Sequence, residues 1–193
     1  MRRVHLATRR AGKVRVLQSV LKEFGIEVVQ EEIDTESPTE GSVEEVATFK
    51  VRQAFELLHK PVIAHGVAFC ITALHDWPGI SIDRVLRNGG TEEILRRLEG
   101  KERHCEFRYT LAYLDEQLAA PVLFSNTRTG LVADKLRGEP RAQEWSMTGR
   151  IFIPLGETRT FSEMNEEEFH LGWRVPAHGP YAAAFARWLQ ENR

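Results

Sequence analysis

Between residues 3 and 64 the sequence alternates between two hydrophobic periodicities, and that alternation restricts the fold more than any other feature. Residues 3–7, RVHLA, read as a short strand. Residues 11–24 then place Val14, Leu17, Val20, Leu21 and Phe24 at helical spacing, and Gly25 follows as a stop. IEVVQEE reads as a second strand, and DTESPTEGS as a polar loop with proline and glycine. Ser42 is placed to cap a long helix, with Glu45 three residues on to complete a capping box. The apolar face of that helix runs Val43, Val46, Ala47, Val51, Ala54 and Leu58. PVIA opens a third strand. Strand, helix, strand, helix, strand predicts an α/β fold, with helices packed on the faces of a sheet.

The third strand carries an oddity. PVIAHGVAFCITAL, residues 61–74, is as apolar as a buried strand, yet Ala64-His65-Gly66-Val67 interrupts it. It reads as a strand, a polar break and a second apolar run. Beyond it, Trp77-Pro78-Gly79 marks a turn, followed by a short helix through Arg84 to Leu86. TEEILRRLEG is a helix with Thr91 as cap and Gly100 as stop. Residues 103–113 and 121–128 read as two long neighbouring strands, GLVADKL as a third and IFIP as a short buried one. PYAAAFARWLQENR is a closing helix with Pro180 in its first turn. No repeat and no linker divides the chain, so residues 1–193 are expected to form one domain, any second lobe being an insertion within it.

The bulk numbers exclude several classes. The 193 residues are 42% hydrophobic, enough for a full core. A net charge of −2 gives no reason to expect nucleic acid or an anionic membrane as a partner. No apolar run approaches the roughly 20 residues of a membrane span. The N-terminal apolar segment is too short for a secretory signal. The two cysteines, Cys70 and Cys105, sit in strand-like runs without metal-binding spacing, and read as buried thiols in a reducing, cytoplasmic compartment.

Four places could carry chemistry. ATRRAGK, Ala7 to Lys13, is a strand end, a turn and a helix start. Backbone N–H groups there, with Thr8, Arg9, Arg10 and Lys13, suit a phosphate. From spacing alone a basic surface turn is the simpler reading, since a P-loop carries more glycine. Lys50 lies beside the apolar stripe of the long helix, where a solvated lysine is the plain alternative. His65 and His178 are lone histidines, one at a strand break and one in a Pro/Gly loop. Asp34, Glu36 and Glu40 supply carboxylate oxygens of the kind Mg²⁺ prefers, in a loop that reads equally as solvated. Glu166-Glu167-Glu168 reads as a solvated helix start.

Taken together, SVEEVATFKVRQAFELLHKPVIA, ITALHDWPGISIDRVL, RHCEFRYTLAYLD and TFSEMNEEE resemble the inosine triphosphate pyrophosphatase family, the non-canonical purine NTP pyrophosphatases. Thr8 and Lys13 meet the family's Thr/Ser-x-Asn-x-x-Lys pattern. The resemblance implies an elongated mixed sheet flanked by helices, with two lobes around a central cleft, and a homodimer. It implies a nucleotide partner, with hydrolysis of NTP to NMP and pyrophosphate and Mg²⁺ as cofactor where that activity is retained. Thr8, Lys13 and Lys50 stand where the family contacts the triphosphate, with Arg9, Arg10 and His178 as further phosphate-binding candidates.

The departures are as informative. Where the family's third strand ends in Asp/Glu-Asp-Ser/Thr-Gly/Cys, this chain has His65, Gly66, Val67 and Ala68. Arg10 replaces the early Asn. The loop metal ligand aligns with Pro38, or by a small shift with Glu36 or Glu40. The purine-pocket Asp and Pro are missing from Trp145-Ser146-Met147-Thr148-Gly149-Arg150. The Lys-Asn pair is Phe169-His170, and the Ser-His-Arg signature is Ala177-His178-Gly179 or lies at Trp173-Arg174. Phosphoanhydride hydrolysis needs charge neutralisation and an oriented water. Three readings therefore stand: a hydrolase with an altered site, with His65 handling the proton; an inactive nucleotide-binding sensor or partner subunit; and a different, metal-independent chemistry built on His65.

Overall fold

The computed structural model describes residues 2–33, 35–140, 147–171 and 175–193. Of the residues singled out above, Asp34, Trp145, Ser146, Trp173 and Arg174 lie outside the described residues. The elements run β1 (Arg2–Ala7), α1 (Ala11–Leu21), β2 (Ile26–Glu31), α2 (Val43–Leu58), β3 (Val62–Ile71), β4 (Pro78–Gly79) and α3 (Ile82–Asn88). They continue with α4 (Gly90–Arg97), β5 (His104–Leu114), β6 (Val122–Val132), β7 (Phe152–Pro154), α5 (Glu166–Phe169) and α6 (Val175–Asn192). The strands form one mixed sheet in the order β2-β1-β3-β5-β6-β7, with β4 on β3. β1 runs parallel to both β2 and β3, while β4 and β7 are antiparallel to their partners β3 and β6. The α/β alternation is thus found as expected.

Two compact units divide the chain. The first comprises residues 1–67, 109–126 and 174–193, and the second residues 68–108 and 127–173. In the first, α2 lays Ala47, Val51 and Ala54 against Val62 and Ala64 of β3 and Ala112 and Leu114 of β5. The capping box at its start is made: Glu45 N–H donates to Ser42 Oγ at 3.1 Å, and Ser42 N–H donates to Glu45 Oε2 at 2.7 Å. α1 packs on β2 and α6. Its Gln18 donates to the Ile26 carbonyl at 3.1 Å and accepts from Val28 N–H at 2.7 Å. The second unit is centred on the rings of Phe69, Phe107, Phe152, Phe161 and Phe169, with neighbouring centroids 4.7–5.4 Å apart. Cys70 and Cys105 are buried free thiols.

Five local expectations are corrected. β3 does not break at His65: it runs unbroken from Val62 to Ile71 and is buried along almost its whole length. A strand covered on both faces can carry a histidine when a partner satisfies the ring. α1 closes in a separate tight 3-10 turn, Lys22–Phe24, before Gly25 in the left-handed region ends it. Thr91 is not the cap of α4, which starts one residue earlier, and Thr91 is buried inside it. GLVADKL is not a separate strand: Gly130, Leu131 and Val132 extend β6, and a β-carbon at Gly130 would collide with the Ile153 carbonyl of β7. Pro180 lies inside α6, which begins five residues before it, so His178 is on a helix and not in a loop. That helix forgoes one backbone hydrogen bond at the proline.

At the end of β5 the Asp115 carboxylate accepts from Tyr113 Oη at 2.8 Å, Gln117 N–H at 3.0 Å and Arg193 Nε at 2.7 Å. Burial alone would raise its pKa, but these donors outweigh burial and hold it below the usual carboxylate value. Its stabilisation is complete above the unfolded value of about 3.9 and is lost as pH falls through the lower folded value. Asp115→Asn is expected to cost about 1.5–3 kcal/mol near neutral pH, the scale of a hydrogen bond to a charged group. Urea denaturation of the variant should also show a flatter decline in stability below about pH 4.

Candidate functional site

The C-terminal end of β1 leads directly into the site. Thr8 N–H donates to the Glu31 carbonyl at 2.9 Å, and Gln30 Nε2 donates to the Thr8 carbonyl at 3.1 Å, so the end of β2 pins the turn. Thr8 Oγ1 accepts from Arg10 N–H at 3.1 Å, which bends the chain towards α1. No side chain caps α1 at Arg10, and its first turn contains no acidic residue. Its early N–H groups and the positive end of its dipole therefore lie in the same first turn as Lys13 with no side-chain cap from Arg10.

β3 brings up the second part. Its register pairs His5 with Val62 and Leu6 with Ile63, and continuing that register sets His65 level with Thr8. Small residues on α2 allow the helix to sit close to β3 here. At Gly66 a β-carbon would lie 2.5 Å from the Val43 carbonyl oxygen and 3.3 Å from Ala47 Cβ. No side chain fits at position 66 unless α2 moves.

His65 is buried within a cluster of rings. Its Nε2 lies 2.9 Å from Tyr181 Oη, and the same oxygen lies 2.6 Å from His178 Nδ1. Tyr109 stacks on His65, with ring planes 11° apart and centroids 6.0 Å apart, and meets His178 edge-on at 5.1 Å. Burial, and then the charges of Lys13, His178 and Lys50, hold the His65 pKa well below its usual 6.5. Burial holds the Tyr181 phenol well above 10. The ring of His65 is therefore neutral at pH 7, and Tyr181 keeps its hydrogen.

Of the residues singled out in the sequence, Thr8, Lys13, Lys50, His65 and His178 are brought into one neighbourhood within the first unit. Arg10 takes part through its backbone, and Arg9 is exposed. Glu36 and Glu40 are exposed in the loop before α2, where Glu36 N–H donates to Gln53 Oε1 at 3.0 Å. Tyr181 and Tyr109 were missed by sequence reasoning. Tyr181 was detectable: it lies three residues after His178, on the same helical face.

Mg²⁺ takes oxygen ligands, chiefly carboxylates and water. Here position 66 has no room for a carboxylate, and His65 Nε2 is engaged by Tyr181. Among the described residues no three His, Cys, Asp or Glu side chains group closely enough to hold a metal. The described donor set does not fit a resident Mg²⁺.

A sequence model of the Ham1 family matches residues 4–171. The chain belongs to the Ham1 family. A Methanopyrus kandleri protein named dITP/XTP pyrophosphatase is 34% identical over 192 residues, covering 98% of this chain and 97% of its own. A Thermococcus kodakarensis protein of the same name is 30% identical, covering 98% of each chain. A Yarrowia lipolytica inosine triphosphate pyrophosphatase is 33% identical over 85% of each. Solved Ham1 structures share the fold. That from Coxiella burnetii superposes with a TM-score of 0.83 at 22% identity, over 99% of this chain and 100% of its own. That from Staphylococcus aureus gives 0.80 at 20% identity, over the whole of both. The Ham1 fold is thus common ground, and His65-Gly66 is a feature to be explained within it.

Because the fold excludes a proton from His65 while the unfolded chain accepts one near pH 6.5, stability should fall as pH drops below that value. His65→Gln is expected to reduce this loss, measured as the difference between urea midpoints at pH 7.5 and pH 5.5. Gly66→Ala is expected to destabilise by about 1–3 kcal/mol, the usual range for overpacking.

Proposed function

We propose that this protein binds the phosphate chain of a nucleoside triphosphate at the start of α1. Thr8, Arg9, Arg10 and Lys13 come from the β1–α1 turn, Lys50 from α2 and His178 from α6. The observation that carries the reading is convergence: Lys13 and Lys50, on different helices, both act on the buried ring of His65. Two lysine charges beside a helix N-terminus that no side chain caps favour an anion there. The names of the relatives, dITP/XTP and inosine triphosphate pyrophosphatase, support a nucleoside triphosphate as the ligand class.

A second reading is hydrolysis of that ligand to monophosphate and pyrophosphate. It is favoured by 34% identity to a protein named for this activity over nearly the whole of both chains. In this reading His65, neutral and held by Tyr181, takes the place of the absent strand carboxylates as the proton acceptor.

Lys13→Ala combined with Lys50→Ala is expected to weaken ITP binding at least tenfold by calorimetry, a loss of about 1.4 kcal/mol. Unchanged binding would remove the lysines from the site. A panel of ITP, XTP, dITP and the ordinary NTPs, with and without Mg²⁺, separates the readings. A raised melting temperature without product supports a binding protein. Monophosphate plus pyrophosphate supports the hydrolase, and Mg²⁺ dependence of that product would show that metal enters with the substrate or through residues outside the described set.

A further inference from the structure

β1 and β2 run parallel, with Leu6 level with Gln30 and Ala7 level with Glu31. Carried one step further, that register sets Thr8 level with Glu32. In a regular parallel ladder such a residue bonds twice to the neighbouring strand. Its N–H goes to the carbonyl one position before its partner, and its C=O to the N–H one position after. The first bond is made, from Thr8 N–H to the Glu31 carbonyl at 2.9 Å. The second is not. Its donor would be Ile33 N–H, and that group turns back onto the Glu31 carbonyl at 2.8 Å. The ladder ends half-way through Thr8.

The side chain of Gln30 supplies the missing donor. Its Nε2 reaches the Thr8 carbonyl at 3.1 Å. Only the nitrogen of an amide can donate to a carbonyl oxygen, so this partner fixes which way the Gln30 amide points. The bond does more than satisfy an oxygen. A trans peptide is planar, and its C=O and N–H point in opposite directions. Holding the Thr8 oxygen on the β2 side therefore turns the positive end of the Thr8–Arg9 peptide away from β2. β3, which carries His65, lies on the other side of β1. The bond from Arg10 N–H to Thr8 Oγ1 then leads from this peptide into α1.

Thr8 N–H belongs to the preceding peptide, so its bond to Glu31 does not stop the Thr8–Arg9 peptide from flipping. A flip would put the carbonyl oxygen, the negative end of a dipole of about 3.5 D, where the positive end now stands. For an anion at the start of α1 that exchange replaces attraction with repulsion.

We infer that Gln30 is a positioning residue for the phosphate chain, holding the Thr8–Arg9 peptide with its carbonyl turned away from the ligand. The inference rests on the phosphate-binding reading proposed above. Gln30 acts through the peptide and not by touching the ligand. The end of β2 thereby sets the polarity of the β1–α1 turn.

The test is calorimetry with inorganic triphosphate on wild type and Gln30→Leu, a variant that keeps the bulk and loses the donor. Its affinity should be at least fivefold lower. Two magnetic-resonance readings separate peptide orientation from general loosening. The Thr8 carbonyl ¹³C signal should move in the variant, while Thr8 N–H stays protected from hydrogen exchange by its bond to Glu31. In wild type, added triphosphate should shift the Arg9 amide ¹⁵N signal, a reading that needs no variant, and in Gln30→Leu that shift should shrink by at least half. Equal affinity in the two proteins, or a wild-type Arg9 signal that ignores bound triphosphate, would overturn the positioning role and leave the phosphate site standing. Weaker binding with Thr8 N–H unprotected would show that the turn itself had come apart, and would overturn it too. Failure of triphosphate to bind wild type would overturn the site, and the role of Gln30 with it.

Discussion

The structure of the first unit depends on how closely α2 approaches β3. Alanines at 47, 54 and 64 and the glycine at 66 permit that approach. Well-packed interiors transmit such constraints, because there is little free volume to absorb a change. The same contact that buries the α2 face holds Lys50, half-buried on that helix, where its charge bears on His65. It also fills the space in which a side chain at 66 would stand. Packing and electrostatics at the site have one origin here.

Much of the α/β framework was legible, because amphipathic periodicity and caps are local. The α2 capping box at Ser42 and Glu45, the apolar faces of α1 and α2, and the left-handed stop at Gly25 all follow from residues within a few positions of one another. Where the reading failed, the deciding partner was distant. His65 looked like a break because the hydroxyl that satisfies it belongs to Tyr181, 116 residues further on. GLVADKL looked like its own strand because the reason for Gly130, the nearby β7 backbone, is invisible locally. Pro180 looked like a helix start because proline prefers that place, yet α6 packs well enough on α1 to tolerate it.

The site divides in the same way. The phosphate-favouring residues lie in a compact motif after β1 and could be picked out by type. That Lys13 and Lys50 converge on one ring required the fold. The missing carboxylates were visible as substitutions, but only the Val43 carbonyl explains why position 66 holds glycine. A lost charge and a lost volume look alike in sequence and differ in three dimensions.

β2 ends the sheet on one side, and the free edge of such a strand is an invitation for another chain to add a strand of its own. Gln18 occupies two of its bonding positions, at the Ile26 carbonyl and the Val28 N–H. A side-chain amide has the donor and acceptor geometry of a peptide group, so it serves as a one-residue counterfeit of a neighbouring strand. An intruding segment would first have to displace it. A single glutamine on α1 thus acts as a guard against fibre-like stacking at this border.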